Sequence, residues 1–156
     1  MVASADSAAK LRAETSGRVI GTLKKLGHWL QSRVLEAGRM PVDSFFGPQK
    51  VELGTTPGKL RLLFIADKAG IDTAALTSND LSDLRIFTGS RVVYALTTAR
   101  VAGAVAQTMI YDYRIHNDNR SHFGVPLGCL EVKLVDKGEV KTTEERAKGE
   151  VSVYRG

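Results

Sequence analysis

The sequence LRLLFIA at residues 60–66, followed by RVVYAL at residues 91–96, decides the fold class that we expect for this chain. Each stretch is a short and nearly continuous apolar run, which is typical of a strand covered on both faces of a sheet. Between them, Ser78 can cap a helix, and Gly89 stands where a left-handed terminator is needed. The connection is long enough for a crossover, so these residues predict a parallel strand–helix–strand unit.

The residues that follow extend this unit. We expect another helix from Thr98 to about Met109, because Val101, Val105 and Met109 share a helical face. Later, apolar and polar residues alternate at 130–134 and at 151–154, which predicts a half-exposed β-hairpin with a long charged loop. The predicted fold class is therefore α/β: a partial parallel sheet with flanking helices (strand–helix–strand–helix), followed by a β-hairpin and preceded by an N-terminal helix.

The first part of the chain reads differently. Residues 1–15 are small and polar and predict a frayed start. A helix is expected over residues 16–36, with Gly38 and Pro41 ending it and a loop over 41–59. Its apolar residues recur at three- and four-residue spacing on one face, which we expect to pack: Val19, Leu23, Leu26, Leu30 and Val34. We divide the chain into an N-terminal helical arm and loop, 1–58, and a domain, 59–156.

The composition fits a soluble globular chain. The net charge is +5, and residues 1–40 hold seven Lys/Arg against three Asp/Glu, so most of the positive charge lies in the arm. A solvated helix face is the commonest reason, but a basic helix can also contact an anionic membrane surface or a protein partner. No basic stripe is interleaved with aromatics, so nucleic acid is not an expected partner. One cysteine, no apolar run of membrane-spanning length and no secretory signal favour an intracellular location.

Three other patterns in the sequence are candidates for chemical sites. Residues 54–59 (GTTPGK) suggest a phosphate loop, but their spacing differs from that of nucleotide hydrolases, and a turn feeding the next strand is the better interpretation. The histidines and aspartates of residues 112–122, which include His116 and His122, match no familiar metal-ligand spacing and predict a polar surface loop. Cys129 has apolar neighbours in sequence and is expected to pack inside. No catalytic residue can be nominated from these patterns.

A fourth candidate is the turn after the second strand, which holds Tyr94, Ala95, Thr97 and Thr98. Ligands of α/β sheets collect at the carboxyl ends of the strands. There, an aromatic ring could stack on a base, and hydroxyl groups could donate to phosphate. A tyrosine in a buried strand is nevertheless more often part of the core.

Four blocks of the sequence follow one another in a recognisable order: residues 59–66, 93–98 (VYALTT), 123–136 (FGVPLGCLEVKLVD) and 148–156 (KGEVSVYRG). Together they resemble the central segment of the adenylate-forming (AMP-binding) enzymes of the long-chain acyl-CoA synthetase type. The first resembles the strand before that family's Gly-Ala-Ala-Pro-Leu-Ser loop, and the second falls on its Gly-Tyr-Gly-x-Thr-Glu motif. The last two are similar to its Gly-x-Pro turn with a strand ending in Lys-Leu-Val-Asp, and to its Gly-Glu-[Val/Ile]-x-[Val/Ile]-x-Gly strand.

The resemblance implies roles for individual residues. In the family the motif tyrosine stacks on adenine, the threonine contacts phosphate and the glutamate holds Mg²⁺, which implies nucleotide contacts for Tyr94 and Thr97. The chain departs from the pattern where Ala95 replaces a motif glycine and Thr98 replaces the glutamate. A neutral hydroxyl is a poor substitute for a carboxylate on a hard cation, so Mg²⁺ is less expected than ATP or AMP. The charges of residues 67–68 also stand where the family has small pocket residues.

The functional expectation follows from this resemblance. The chain is expected to be part of an acyl-CoA synthetase-like AMP-binding domain, contributing contacts for the ATP-dependent activation of a fatty acid. It is expected to be inactive alone, because the family's phosphate loop, ribose-binding aspartate and catalytic lysine have no counterpart in residues 1–156. Unpaired strand edges also favour a homo-oligomer. The alternatives are a non-catalytic binding or assembly module derived from that fold, or a small α/β domain that resembles the family by chance.

Overall fold

The computed structural model of the chain describes residues 2–16, 22–40, 60–68, 76–101, 103–113, 120–136, 138, 142–143 and 150–155. These residues form an α/β fold, which confirms the predicted class. The helices are α1 (Ala5–Ser16), α2 (Thr22–Glu36) and α3 (Ser78–Thr88). The strands are β1 (Val2–Ser4), β2 (Leu62–Lys68), β3 (Arg91–Thr98), β4 (Gly103–Gln107), β5 (Val125–Pro126), β6 (Leu130–Val135) and β7 (Glu150–Arg155).

The main sheet is mixed, with the strand order β1-β2-β3-β4-β5. Strands β1, β2 and β3 are parallel, and β2 and β3 pair with Ile65 opposite Tyr94. The predicted strand–helix–strand unit is therefore confirmed. Strands β4 and β5 then join in antiparallel orientation. In β2, buried and more exposed residues alternate, so this strand is covered more completely on one face than on the other.

Helix α3 is fixed at both ends by capping contacts. Its N-cap is Thr77, one residue before the expected Ser78. The Thr77 Oγ1 atom accepts from the Asp80 backbone N–H at 3.3 Å, and the Asp80 carboxylate accepts from the Thr77 N–H at 2.8 Å. This reciprocal capping box satisfies two donors of the first turn. At the other end, Gly89 has φ of 61° and donates to Arg85 O, as predicted for a left-handed terminator.

The prediction of a frayed N-terminus is wrong. Residues Val2–Ser4 form β1, which pairs with β2, and helix α1 follows at once. The Ser4 Oγ atom accepts from the Ser7 N–H at 3.2 Å, which caps the helix start. The small side chains of Ala5 and Ala8 are 3% and 1% exposed, so they let α1 approach the sheet closely. The composition that suggested fraying thus serves close packing.

The core lies between the sheet and the helices α1 and α3. Its buried side chains come from α1, β2, β3, α3 and the residue before the α3 cap: Ala5, Ala8, Leu63, Ile65, Leu76, Leu81, Leu84, Val92 and Tyr94. The Arg12 guanidinium joins α1 to α3 through Asp80 at 3.0 Å and Asp83 at 2.9 Å. On the far side of α3, Leu35 of α2 packs with Ile86 and Tyr113 in a smaller cluster.

The predicted N-terminal helix is present as α2, but α2 differs from the prediction in its extent and in the face that it buries. Residues 17–21, with Val19, lie outside the described residues, and α2 starts at Thr22. Its end agrees with the expected position of Gly38, which has φ of 75°. The apolar stripe was expected to pack, but its members Leu26, Leu30 and Val34 are exposed. The buried face of the helix is a different one, because α2 packs against α3 through Leu35.

The helix expected over residues 98–109 is wrong, since residues 103–107 form β4 instead. The chain turns back after Thr98 and pairs with β3 in antiparallel orientation, with Thr98 opposite Gly103. Val101, Val105 and Met109 share a helical spacing, but pairing with the free edge of β3 supplies backbone hydrogen bonds that the local pattern cannot reveal. Tertiary pairing therefore overrides the local pattern here.

The hairpin of β6 and β7 confirms the alternation seen in the sequence. The strands pair in register, with Leu134 opposite Val151 and Val132 opposite Val153. Cys129, which precedes β6, is exposed, so its predicted packing is wrong. None of the helices within the described ranges is long and apolar enough to cross a bilayer.

Candidate functional site

The carboxyl ends of β2 and β3 lie side by side, and all four predicted site residues belong to this region. Parallel pairing places Asp67 opposite Leu96 and Lys68 opposite Thr97. The Thr97 Oγ1 atom donates to the Asp67 carbonyl oxygen at 2.8 Å, which joins the two strand ends. This sheet edge therefore collects a carboxylate, an ammonium and hydroxyl groups where α/β sheets ordinarily bind ligands.

Tyr94 lies at the centre of this region but points into the core. Its side chain is fully buried. The hydroxyl donates to Asp67 Oδ2 at 2.5 Å and accepts from the Leu76 N–H at 3.2 Å. Burial raises the pKa of Tyr94 well above its ordinary value, and the hydrogen bond to Asp67 raises it further. The phenol thus stays protonated at neutral pH and connects β3, β2 and the start of α3.

One face of the Tyr94 ring is covered by an aromatic side chain from the segment before β5. The ring of Phe123 stacks on it with a centroid distance of 4.6 Å and an interplanar angle of 27°. Nearby, the Ser121 hydroxyl donates to Leu76 O at 2.9 Å. Because Tyr94 is 0% exposed, no planar ligand can stack on it unless Phe123 or its neighbours move.

Ala95, Thr97 and Thr98 approach the surface progressively. Ala95 is buried at the centre of the sheet, whereas both threonines are half-buried. Between Leu96 and Thr97 the pairing with β4 shifts by a bulge, which redirects the strand end. Thr98 O accepts from the Val101 N–H at 3.2 Å in the turn to β4. The Thr97 hydroxyl already donates its proton to Asp67 O, so the Thr98 hydroxyl and the exposed Lys68 ammonium are the groups here that could donate to a phosphate.

The donor set does not fit a magnesium ion. Mg²⁺ prefers carboxylate oxygens, and Thr98 offers only a hydroxyl, while the Asp67 carboxylate already accepts from Tyr94. Within the described ranges, no three His, Cys, Asp or Glu side chains form a group that could hold a metal ion. Of the predicted histidine loop, His122 is described and His116 lies outside the described residues, as does the GTTPGK segment.

Sequence reasoning missed the partners of Tyr94. Asp67 was read as a charge in a loop, but it is a buried residue within β2, and its alternation with Leu63 and Ile65 placed it on the core face. Thr108 was also missed: its Oγ1 accepts from the Tyr94 N–H at 2.9 Å, and its own N–H donates to Tyr94 O at 2.9 Å. The signal available in the sequence was the alternation: Asp67 stands two residues after Ile65 and therefore continues the face that carries Leu63 and Ile65.

Comparison with known proteins adds no relative to this description. The chain matches no protein-family model, no curated protein and no solved structure. The candidate site therefore stands on its residues and their geometry.

Proposed function

We propose that this chain is part of an acyl-CoA synthetase-like AMP-binding domain, and that the edge formed by β2 and β3 contributes phosphate contacts to nucleotide binding. The observation that carries the proposal is the pairing of the two strand ends, with Lys68 opposite Thr97 and Thr97 bonded to Asp67 O. This arrangement brings a cation and two hydroxyl groups to one sheet edge. It supports a place for Thr97, which the sequence resemblance implies, and for Thr98, whose hydroxyl follows it at the strand end, in the nucleotide site.

In this proposal Tyr94 positions the site and does not bind the base. Its hydroxyl holds Asp67 of β2 and the Leu76 N–H next to the α3 cap. Its ring is covered by Phe123, so a nucleotide would have to rest on the strand ends, outside the core. Ala95 makes no nucleotide contact in this proposal, since its methyl group is buried and it pairs with β2 and with β4. The chain by itself binds nucleotide weakly and does not activate a fatty acid, because its donor set does not fit Mg²⁺.

Isothermal titration of the full chain with AMP and with a non-hydrolysable acyl-adenylate analogue tests this proposal. Thr97→Val removes the hydrogen bond that fixes the end of β3 against Asp67 O, so Lys68 and Thr98 should be less well positioned and binding should weaken roughly tenfold. Thr97→Ser should restore it. Thr142→Val is the matched control, because Thr142 bonds to Asp136 after β6, away from the site. Binding that Thr97→Val leaves unchanged would contradict the proposed edge.

A second candidate function is a non-catalytic binding or assembly module derived from the same fold. The specific observation in its favour is that the Tyr94 ring is covered: Phe123 stacks on its face, and its hydroxyl donates to Asp67. In such a module Tyr94 would stabilise the fold and would have no role in ligand binding.

Two variants distinguish the candidates. Phe123→Ala uncovers the Tyr94 ring, and Thr98→Glu supplies a carboxylate at the strand end. If Thr98→Glu gains affinity for AMP in the presence of Mg²⁺ while Phe123→Ala binds AMP as the original chain does, the first candidate is favoured. If both remain without measurable AMP binding while circular dichroism shows an intact fold, the module is favoured.

A further inference from the structure

Helix α2 carries most of its described large apolar side chains on the solvent side. Leu26 is 47% exposed, Trp29 52%, and Leu30 and Val34 are 39% each. At 100° per residue these four positions fall in one continuous sector of the helix. We call this sector the α2 stripe. The opposite sector, which packs toward α3, contains Leu35 and Gln31, which are 1% and 5% exposed.

This distribution is the reverse of the usual one. A surface helix of a globular protein normally turns its apolar stripe to the core and its polar residues to water. In α2 a glutamine is buried, and His28 bonds through Nε2 to Asp83 at 3.0 Å on the inner side. The inner face of α2 is therefore held against α3 by polar contacts and by Leu35. The α2 stripe takes no part in this packing and is available to an apolar partner outside the chain.

Positive charge surrounds the stripe. Residues 22–40 contain four Lys/Arg and one Glu. Lys25, Arg33 and Arg39 are exposed. The Arg33 guanidinium lies 5.6 Å from the Trp29 ring centroid, and its Nη1 atom is 2.8 Å from the Glu36 carboxylate. Long basic side chains beside Trp and Leu are typical of helices that lie in the interface of an anionic membrane.

The size of the stripe favours a membrane over a protein interface. Four partly exposed side chains present roughly 300 Å² of apolar surface, given about 150–250 Å² for a large side chain. A stable protein–protein interface buries about 800 Å² on each partner, of which somewhat more than half is apolar, so the stripe alone falls short of it. A lipid surface has no such minimum, since partial insertion of a few side chains adds to the attraction of basic residues for anionic headgroups.

We propose that α2 is a membrane-contacting helix that binds the surface of an anionic lipid bilayer. Leu26, Trp29 and Leu30 enter the headgroup region, while Lys25 and Arg39 contact lipid phosphate and carboxylate groups. This proposal is independent of nucleotide binding, because α2 lies on the far side of α3 from the sheet.

The full chain offers a built-in probe, since Trp29 is its single tryptophan. Vesicles of phosphatidylcholine mixed with phosphatidylserine should shift the tryptophan emission to the blue and should co-sediment the protein. Vesicles of phosphatidylcholine alone should do so much less, and added salt should weaken the binding by screening. An unshifted emission, or equal binding to both kinds of vesicle, would overturn the proposal.

Two variants locate the contact. Leu26→Glu places a carboxylate in the stripe and should lower the partition onto anionic vesicles roughly tenfold. The matched control is Met109→Glu, which changes an apolar side chain that is 66% exposed but lies outside α2, and it should bind as the original chain does. Equal losses in both variants would contradict a specific role for α2.

The charge component is tested with Lys25→Glu/Arg39→Glu, which leaves the stripe and the buried face intact. This variant should no longer distinguish anionic from neutral vesicles. Retention of the original chain on polyglutamate beads without any vesicle binding would indicate an acidic protein partner and would overturn the membrane proposal.

Discussion

The strand pair β2–β3 and the hairpin β6–β7 are built from similar apolar residues, but they differ in what covers them. In the first pair, Leu63, Ile65 and Tyr94 are each 0% exposed beneath α1 and α3. In the hairpin, Leu134 is 37% exposed and Val151 48%, although they face each other across the strands. A two-stranded hairpin is marginal in water unless a face is covered. The comparison shows that alternation fixes which residues share a face, whereas burial depends on what packs there.

The largest effect should come from the covered pair. Leu63→Ala removes a fully buried side chain from the core and should lower the free energy of unfolding by about 3–5 kcal/mol. Leu62→Ala is the control in the same strand, because Leu62 is 37% exposed, and it should cost about 1 kcal/mol. Denaturant unfolding followed by circular dichroism measures both. Similar losses in the two variants would mean that the second face of β2 is covered in solution.

A smaller but still large effect is expected at the junction of the two regions. Gly124 has φ of 75°, and a Cβ there would clash with Gln107 O and would lie 2.8 Å from Thr108 Cα. Gly124→Ala should therefore disturb the pairing of β4 with β5 and cost about 3 kcal/mol. Gly103→Ala is its control, since a Cβ at Gly103 meets no atom within 4 Å and should cost little. A Gly124→Ala variant as stable as this control would contradict the tight approach.

Tyr94→Phe tests the polar centre of the covered region. Loss of the hydroxyl removes a donor to Asp67 and an acceptor for Leu76, and should cost about 2 kcal/mol at neutral pH. Because folding raises the pKa of Tyr94, its contribution is complete below the unfolded pKa of about 10 and is lost as the pH rises toward the folded pKa. The stability difference between the original chain and Tyr94→Phe should therefore shrink in alkaline denaturant titrations. A difference that grows with pH would show that the phenolate is favoured instead.

The smallest effect is expected in the hairpin. Leu134→Ala should cost less than about 1 kcal/mol, because much of the side chain already contacts water. Thermal unfolding and hydrogen exchange of β6 and β7 would measure it. A loss as large as that of Leu63→Ala would show that the hairpin face is covered in solution, by a second copy of the chain or by another surface.

The sequence predicted the features that depend on local residues. The parallel unit, the Gly89 terminator and the C-terminal hairpin follow from apolar runs, a left-handed position and strict alternation. It could not predict β1 or β4, because both exist through pairing with strands that local patterns do not reveal. The orientation of α2 was likewise not predictable, because an apolar stripe shows which residues share a helix face but does not show what that face packs against.

In the candidate site, too, the features that depend on local sequence were predictable and those that depend on tertiary pairing were not. Strand direction sufficed to predict that Thr97 and Thr98 end near the carboxyl end of a neighbouring strand. The hydrogen bond from Tyr94 to Asp67 was not predictable, because it depends on the register that sets Ile65 opposite Tyr94. The stacking of Phe123 on Tyr94 depends on the path of a later segment, which no spacing in the sequence specifies.

The mixed direction of the sheet has a consequence for the order of folding. Strands β3 and β4 meet through a short turn after Thr98, so little chain entropy opposes their pairing. Strand β1 must instead bring Val2 to Phe64 across most of the first half of the chain. Such distant contacts form late, and a three-residue edge strand is readily lost. We therefore expect the β3–β4 hairpin to form first and β1 to join the sheet last. In the folded protein β1 should also detach most readily, so its backbone amides should exchange with solvent before those of the other strands.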